Sequence, residues 1–154
     1  MKKVFTMIKN LLKTLYQQQG FISFQPANKS DIEKTNAFLT NNYFAKLPQD
    51  YINFLTACNG FIFDGLELYG TKNHNRTTKK YTSESLISIN EYFIDYEFFK
   101  HKTIIGKSAE NFIFYNQKDN IYLITDQINL CTYVEFLKFE DILSEFIHLF
   151  ELDS

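Results

Sequence analysis

The dipeptide Asp64-Gly65 lies between two short runs that alternate in polarity or are wholly apolar, Phe61-Ile62-Phe63 and Leu66-Glu67-Leu68-Tyr69. Asp-Gly in that setting is the strongest short-range signal for a β-hairpin, because its two-residue turn needs positive φ at both positions. It also divides the chain. Apolar residues before it recur with helical spacing; after it most of the runs have a period of two.

Upstream, Met7, Ile8, Leu11, Leu12, Leu15 and Tyr16 repeat at three and four residues, which predicts an amphipathic helix within 1–20 that stops at Gly20. Its polar face is rich in Gln, Thr and Asn rather than densely cationic, so packing on its own domain is expected over a membrane surface. Ser30 and Glu33 have capping-box spacing and predict a second helix over 31–39, broken at Asn41-Asn42. Pro48 opens a third, with Leu47, Tyr51, Phe54, Leu55 and Cys58 as its buried stripe and Asn59-Gly60 as its end.

Downstream, residues 72–80 form a polar loop with Lys72, Arg76, Lys79 and Lys80 and no acid. Residues 85–99 fit strand or helix, with helix favoured from Asn90. Residues 103–106 read as a strand, 111–115 and 121–125 as a hairpin, and 130–136 as another strand. Phe139, Ile142, Leu143, Phe146, Ile147 and Phe150 predict a closing amphipathic helix. The expected class is α+β: a single domain over 1–154, with an antiparallel sheet of five to six strands flanked by helices.

The chain has 154 residues, enough for one self-sufficient core. Its net charge of -2 argues against a dedicated nucleic-acid binder. Charge is unevenly spread. Residues 1–20 sum to +4, while residues 120–154 carry seven acids against Lys138 and sum to -6. Cys58 and Cys131 are isolated in sequence, so neither a disulfide framework nor a zinc site is expected, and a reducing cytoplasm fits. The opening Met1-Lys2-Lys3-Val4-Phe5 has the flavour of a signal peptide, but Lys9 and Lys13 interrupt the apolar run. No stretch approaches the ~18 uncharged apolar residues of a membrane span.

No catalytic constellation is legible. His74, His101 and His148 lack a second ligand type at metal-binding spacing, and phosphate-loop and GxSxG motifs are absent. Ser83 and Ser108 have no local base. Asp64 reads as a turn residue, and Glu140 and Asp141 suit a helix N-terminus. Glu67 points to the opposite face from Leu66 and Leu68, where it is either solvated or, paired with Asp64, hydrolytic. The loop around Lys72, His74 and Arg76, with Tyr81 beside it, reads as a surface loop or as a single-strand nucleic-acid contact. No catalytic residue, metal or cofactor is expected.

The stretch Leu47-Pro48-Gln49-Asp50-Tyr51-Ile52-Asn53-Phe54-Leu55, then Asn59-Gly60, then Gly65-Leu66-Glu67-Leu68-Tyr69-Gly70, resembles the SUKH superfamily. That group includes the Smi/Knr-type regulators and many bacterial immunity proteins, and the spacing is most similar to the YrhA-like bacterial branch. The likeness runs from about residue 28 onward, with its motif at 47–70; the chain departs from the usual pattern in having no Trp. The resemblance implies a bacterial immunity protein that binds and occludes a cognate toxin, often a nuclease or deaminase. A Smi/Knr-like adaptor without inhibitory activity is the alternative it implies.

A nuclease must be basic to hold phosphates, so the acidic third of the chain is the expected contact surface. Asp126, Glu135, Glu145 and Glu151 lead, followed by Glu67 and Asp64. Tyr69, Tyr122 and Tyr133 are expected as aromatic anchors. Tyr122 and Tyr133 lie in alternating strands, where the core is an equal alternative.

Overall fold

The computed structural model of the chain describes residues 2–75 and 82–152. In order, its elements are α1 (Lys2–Tyr16), β1 (Ile22–Ser23), α2 (Lys29–Asn41), α3 (Gln49–Ala57), β2 (Phe61–Phe63) and β3 (Leu66–Leu68). A small hairpin, β4 (His74–Asn75) and β5 (Thr82–Ser83), and α4 (Leu86–Glu91) follow, then a 3-10 turn at Glu97–Phe99. The chain closes with β6 (Lys102–Lys107), β7 (Asn111–Asn116), β8 (Ile121–Asp126), β9 (Thr132–Phe136) and α5 (Phe139–Leu152). The class is α+β, as the sequence implies.

Seven strands form one sheet in the order β1-β2-β3-β6-β7-β8-β9, with every neighbouring pair antiparallel. That is more than the five or six expected. The added strand, β1, is two residues long and has no alternation to read; it pairs Ile22 with Ile62. The β4–β5 pair lies outside the main sheet, with β4 within the segment expected as a loop and β5 just beyond it. Arg76, Lys79, Lys80 and Tyr81 lie outside the described residues.

Helix starts show where local chemistry decides. Asn28, not Ser30, caps α2: its Oδ1 accepts the Asp31 N–H at 2.8 Å, so the helix begins two residues before the expected 31. Pro48 is the residue before α3 rather than its first, an extended position its fixed φ allows. The helix leaned to from Asn90 instead starts at Leu86, because the Ser85 hydroxyl accepts the Ser88 N–H at 3.1 Å. Asn90 is then near the end of α4, fully buried, with its amide bridging to β6: Nδ2 donates to Ile104 O and Oδ1 accepts from Ile104 N–H.

The register sorts the two sheet faces. Phe61, Leu68, Gly106, Ile113, Tyr122 and Ile124 share one face, and α3 and α5 cover it: Phe54 packs on Phe61, and Phe139 packs on Tyr51 and Tyr122. Helix α1 lies against α3 and α5, with Ile8, Leu12 and Leu15 buried. The opposite face carries Phe112 and Phe114, on which Phe93, Phe98 and Phe99 pack edge-on or tilted. Aromatic rings therefore fill the core on both sides, each worth roughly 0.5–1.5 kcal/mol per favourable pair beyond its buried area.

The hairpin is a type I′ turn, with Asp64 at φ 48 and Gly65 at φ 83. The motif of residues 47–70 closes around it. Asn59 Oδ1 accepts the Thr71 N–H at 2.8 Å, and a Cβ on Gly70 would lie 2.1 Å from the Asn59 carbonyl oxygen. The Tyr51 hydroxyl reaches across to the Tyr69 and Ile105 carbonyls at 2.5 and 3.1 Å. Ile105 is the extra residue of a bulge between Ile104 and Gly106, which locally disrupts the β6–β7 ladder. The resembling motif thus builds scaffold: α3, a tight backbone crossing and the second hairpin strand.

Candidate functional site

The last strand and last helix enclose an open groove lined by Glu135, Phe136, Leu137, Asp141, Ser144, Glu145 and His148. Its helical wall follows from period. Phe139, Ile142, Leu143 and Ile147 are buried, which turns Asp141, Ser144, Glu145 and His148, an i, i+3, i+4, i+7 stripe, outward on the other side. Its strand wall is the C-terminal end of β9. Leu137 is 75% exposed and Val134 39% exposed, so apolar surface borders the carboxylates. Lys138 lies close by, and its Nζ is 3.9 Å from Glu140, a residue buried at the start of the helix.

Asp50 holds this corner together. Its Oδ2 accepts the N–H of Phe139, the first residue of α5, at 2.8 Å, and its Oδ1 accepts the Tyr122 hydroxyl at 2.5 Å. A carboxylate from α3 therefore caps α5 across 89 residues of chain. Burial, and then the Asp50 charge, push the Tyr122 hydroxyl well above its ordinary range, so it stays a donor.

A second concave site lies at the far edge of the sheet, between the 23–28 segment, Asp31, Asn59, Lys72 and His74. The His74 ring stacks on Phe24 at 3.6 Å, and Lys72 Nζ is 3.5 Å from Asp31. Burial, then the Lys72 charge, hold the His74 imidazole below its ordinary value, which favours the neutral ring.

The expected contact residues are distributed as follows. Glu135 and Glu145 are exposed and share the first groove. Asp126 closes the β8–β9 turn instead: its Oδ1 accepts the N–H groups of Ile128 and Asn129 at 2.7 and 3.0 Å. Asp64 is exposed in the hairpin turn. Glu67 pairs across strands with Lys107 at 3.8 Å. Asp126 and Glu67 are thus engaged within the fold, whereas Glu135 and Glu145 stand exposed on the groove.

Of the expected aromatic anchors, Tyr69 needs correction, and Tyr122 takes the core position held as its equal alternative. Tyr69 and Tyr122 are 1% exposed and belong to the core. Tyr122 faces α3 and α5 because of its strand parity, and Tyr69 is sealed behind the Asn59–Gly70 crossing, where burial and the nearby Glu67 and Glu84 raise its hydroxyl pKa. The side chains of Tyr133 and Glu151 lie outside the described residues. Asp141 is the residue the sequence reading assigned only to the helix dipole; its i+4 relation to Glu145 was the signal that places both on one wall.

Among the described residues, no group of three or more His, Cys, Asp or Glu could hold a metal ion. Among the same residues, no helix is long and apolar enough to cross a membrane. Compared with known proteins, the chain matches no family model and no curated sequence.

Proposed function

We propose that this protein binds a basic protein toxin stoichiometrically and neutralises it by covering its working surface. The observation that carries this reading is the joint exposure of Glu135, Asp141 and Glu145 along one groove, bordered by exposed Leu137. Three carboxylates on one concave face attract a basic partner at long range, and the apolar border gives area that excludes water once it is seated. A toxin that acts on nucleic acid must present such a basic surface, so an acidic antagonist competes with phosphate for the same groups. The sequence resemblance to bacterial immunity proteins supports the same reading, and the resembling motif supplies the fold rather than the contact surface.

The adaptor reading keeps one distinct feature, the cleft at Lys72 and His74, which lies apart from the acidic groove. The two readings separate by experiment. Toxin genes neighbouring this gene in related genomes are co-expressed with it in a sensitive host. Rescue by one cognate toxin, with tight one-to-one binding that weakens with salt, supports neutralisation. Several weak partners and no rescue would leave the adaptor.

A further inference from the structure

The groove is bounded on one side by an unpaired sheet edge. Among the described residues β9 pairs with β8 alone, so one row of its backbone N–H and C=O groups has no strand partner. The opposite edge, β1, is two residues long and offers no comparable template. The extra residue Tyr133 bulges the start of β9 and leaves 134–136 as the regular part of the edge. Exposed edges are normally blunted, because they invite another chain. This one ends in exposed Val134, Glu135 and Leu137 and runs beside a helix whose facing stripe carries Asp141 and Glu145.

We propose that the partner docks by strand addition: an extended segment with Lys or Arg at alternate positions adds to the β9 edge at 134–136, in the groove between β9 and α5. Main-chain hydrogen bonds to the edge supply affinity, and the alternate side chains that point to the α5 side meet Asp141 and Glu145, whereas Glu135, paired with Leu123, stands on the other sheet face. Charge selects the occupant. A second copy adding edge to edge would bring two sets of Glu135 and Glu145 together, whereas a basic segment is complementary to them. The inference rests on the partner-binding reading above and gives it a geometry.

The probe is an acetylated eight-residue peptide alternating lysine with threonine or valine, titrated into the whole 15N-labelled chain. Amide shifts are expected at 134–136 and along 141–148, with slowed exchange at 134–136. Two further peptides carry N-methyl groups on the odd or on the even residues. One of the two should bind about tenfold more weakly, because it blocks the face that meets the edge, and this control leaves the protein unaltered. Combining Asp141→Asn with Glu145→Lys should also lose about tenfold, while Glu67→Gln changes nothing. Three results would overturn the proposal: no shift at about 1 mM peptide, shifts confined to other regions, or equal binding by both N-methylated peptides. A concentration-dependent dimer that itself protects 134–136 would give the edge to a second copy and also overturn it. Toxin rescue by a complex in which the 134–136 amides gain no exchange protection keeps neutralisation and removes strand addition; peptide docking with no toxin rescued does the reverse.

Discussion

Asp50 and Tyr122, 72 residues apart, are joined by a hydrogen bond of 2.5 Å, and the second oxygen of the same carboxylate caps α5 at Phe139. One side chain thus ties the third helix to the eighth strand and to the helix that forms a wall of the acidic groove. The groove's shape depends on this contact although Asp50 does not line it.

Removing that tie should cost stability in a graded way. Tyr122→Phe deletes a hydrogen bond to a charged acceptor, worth about 1.5–3 kcal/mol. Asp50→Ala leaves both the Tyr122 hydroxyl and the Phe139 N–H without a partner and should cost more, about 2–5 kcal/mol. A double-mutant cycle by urea unfolding should show coupling of at least about 0.5 kcal/mol. Strictly additive losses would mean the two groups act independently.

Tyr51 allows a separation of packing from hydrogen bonding. Tyr51→Phe keeps the ring against Phe54 and Phe139 and loses only the hydroxyl contacts to Tyr69 and Ile105, for about 1–3 kcal/mol. Tyr51→Ala and Phe54→Ala also empty the core and should cost about 3–5 kcal/mol each. Thermal melts unchanged by either Ala variant would show the stripe to be misassigned.

Gly70 and Gly65 should respond differently to Ala. At Gly70 the new Cβ meets the backbone carbonyl of Asn59 at 2.1 Å, which no side-chain rotation can relieve, and the crossing must open. At Gly65 nothing lies within 4 Å, so only the positive φ of 83 is costly, about 1–2 kcal/mol. Gly65→Ala is therefore expected to fold with a lowered midpoint, and Gly70→Ala to lose cooperative unfolding.

The cysteines make a chemical probe of the core. Burial pushes the Cys58 thiol up to about 11, and the thiol donates to the Gly60 carbonyl at 3.0 Å. Cys131 is exposed. At pH 8 iodoacetamide should modify Cys131 in the native protein and reach Cys58 only after unfolding, because the thiolate is the reactive form. Mass spectrometry of the digested protein reads this directly.

His74 should give a pH signature at the second cleft. Its folded pKa is depressed from 6.5 by burial and by Lys72, so the unfolded chain binds the proton more readily. The contribution is present above the unfolded value and is lost as pH falls through the folded one. An NMR titration should place the His74 midpoint below 6.5, with the Phe24 ring signals shifting in the same interval as the stack loosens. A midpoint at or above 6.5 would contradict the buried setting.

Element type was largely written in local sequence. Asp64-Gly65 dictates its turn because only residues tolerant of positive φ can fill both positions, and the apolar period dictates α1, α3 and α5 because one face must be buried. Helix boundaries were less legible: Asn28 and Ser30 are both good caps, and the choice between them depends on where the preceding chain enters. Strand parity told that Tyr122 faces one side of the sheet, but not that α3 and α5 would cover that side. Nor could spacing show that Glu135 and Glu145 meet in a groove while Asp126 is spent on a turn, or that Asp50 caps a helix 89 residues away. Periodicity is a property of neighbours along the chain, so the sequence by itself determined the helices, the hairpins and the antiparallel class. Burial, carboxylate convergence and the open edge of β9 are properties of neighbours in space, and only the packing of the layers decided them.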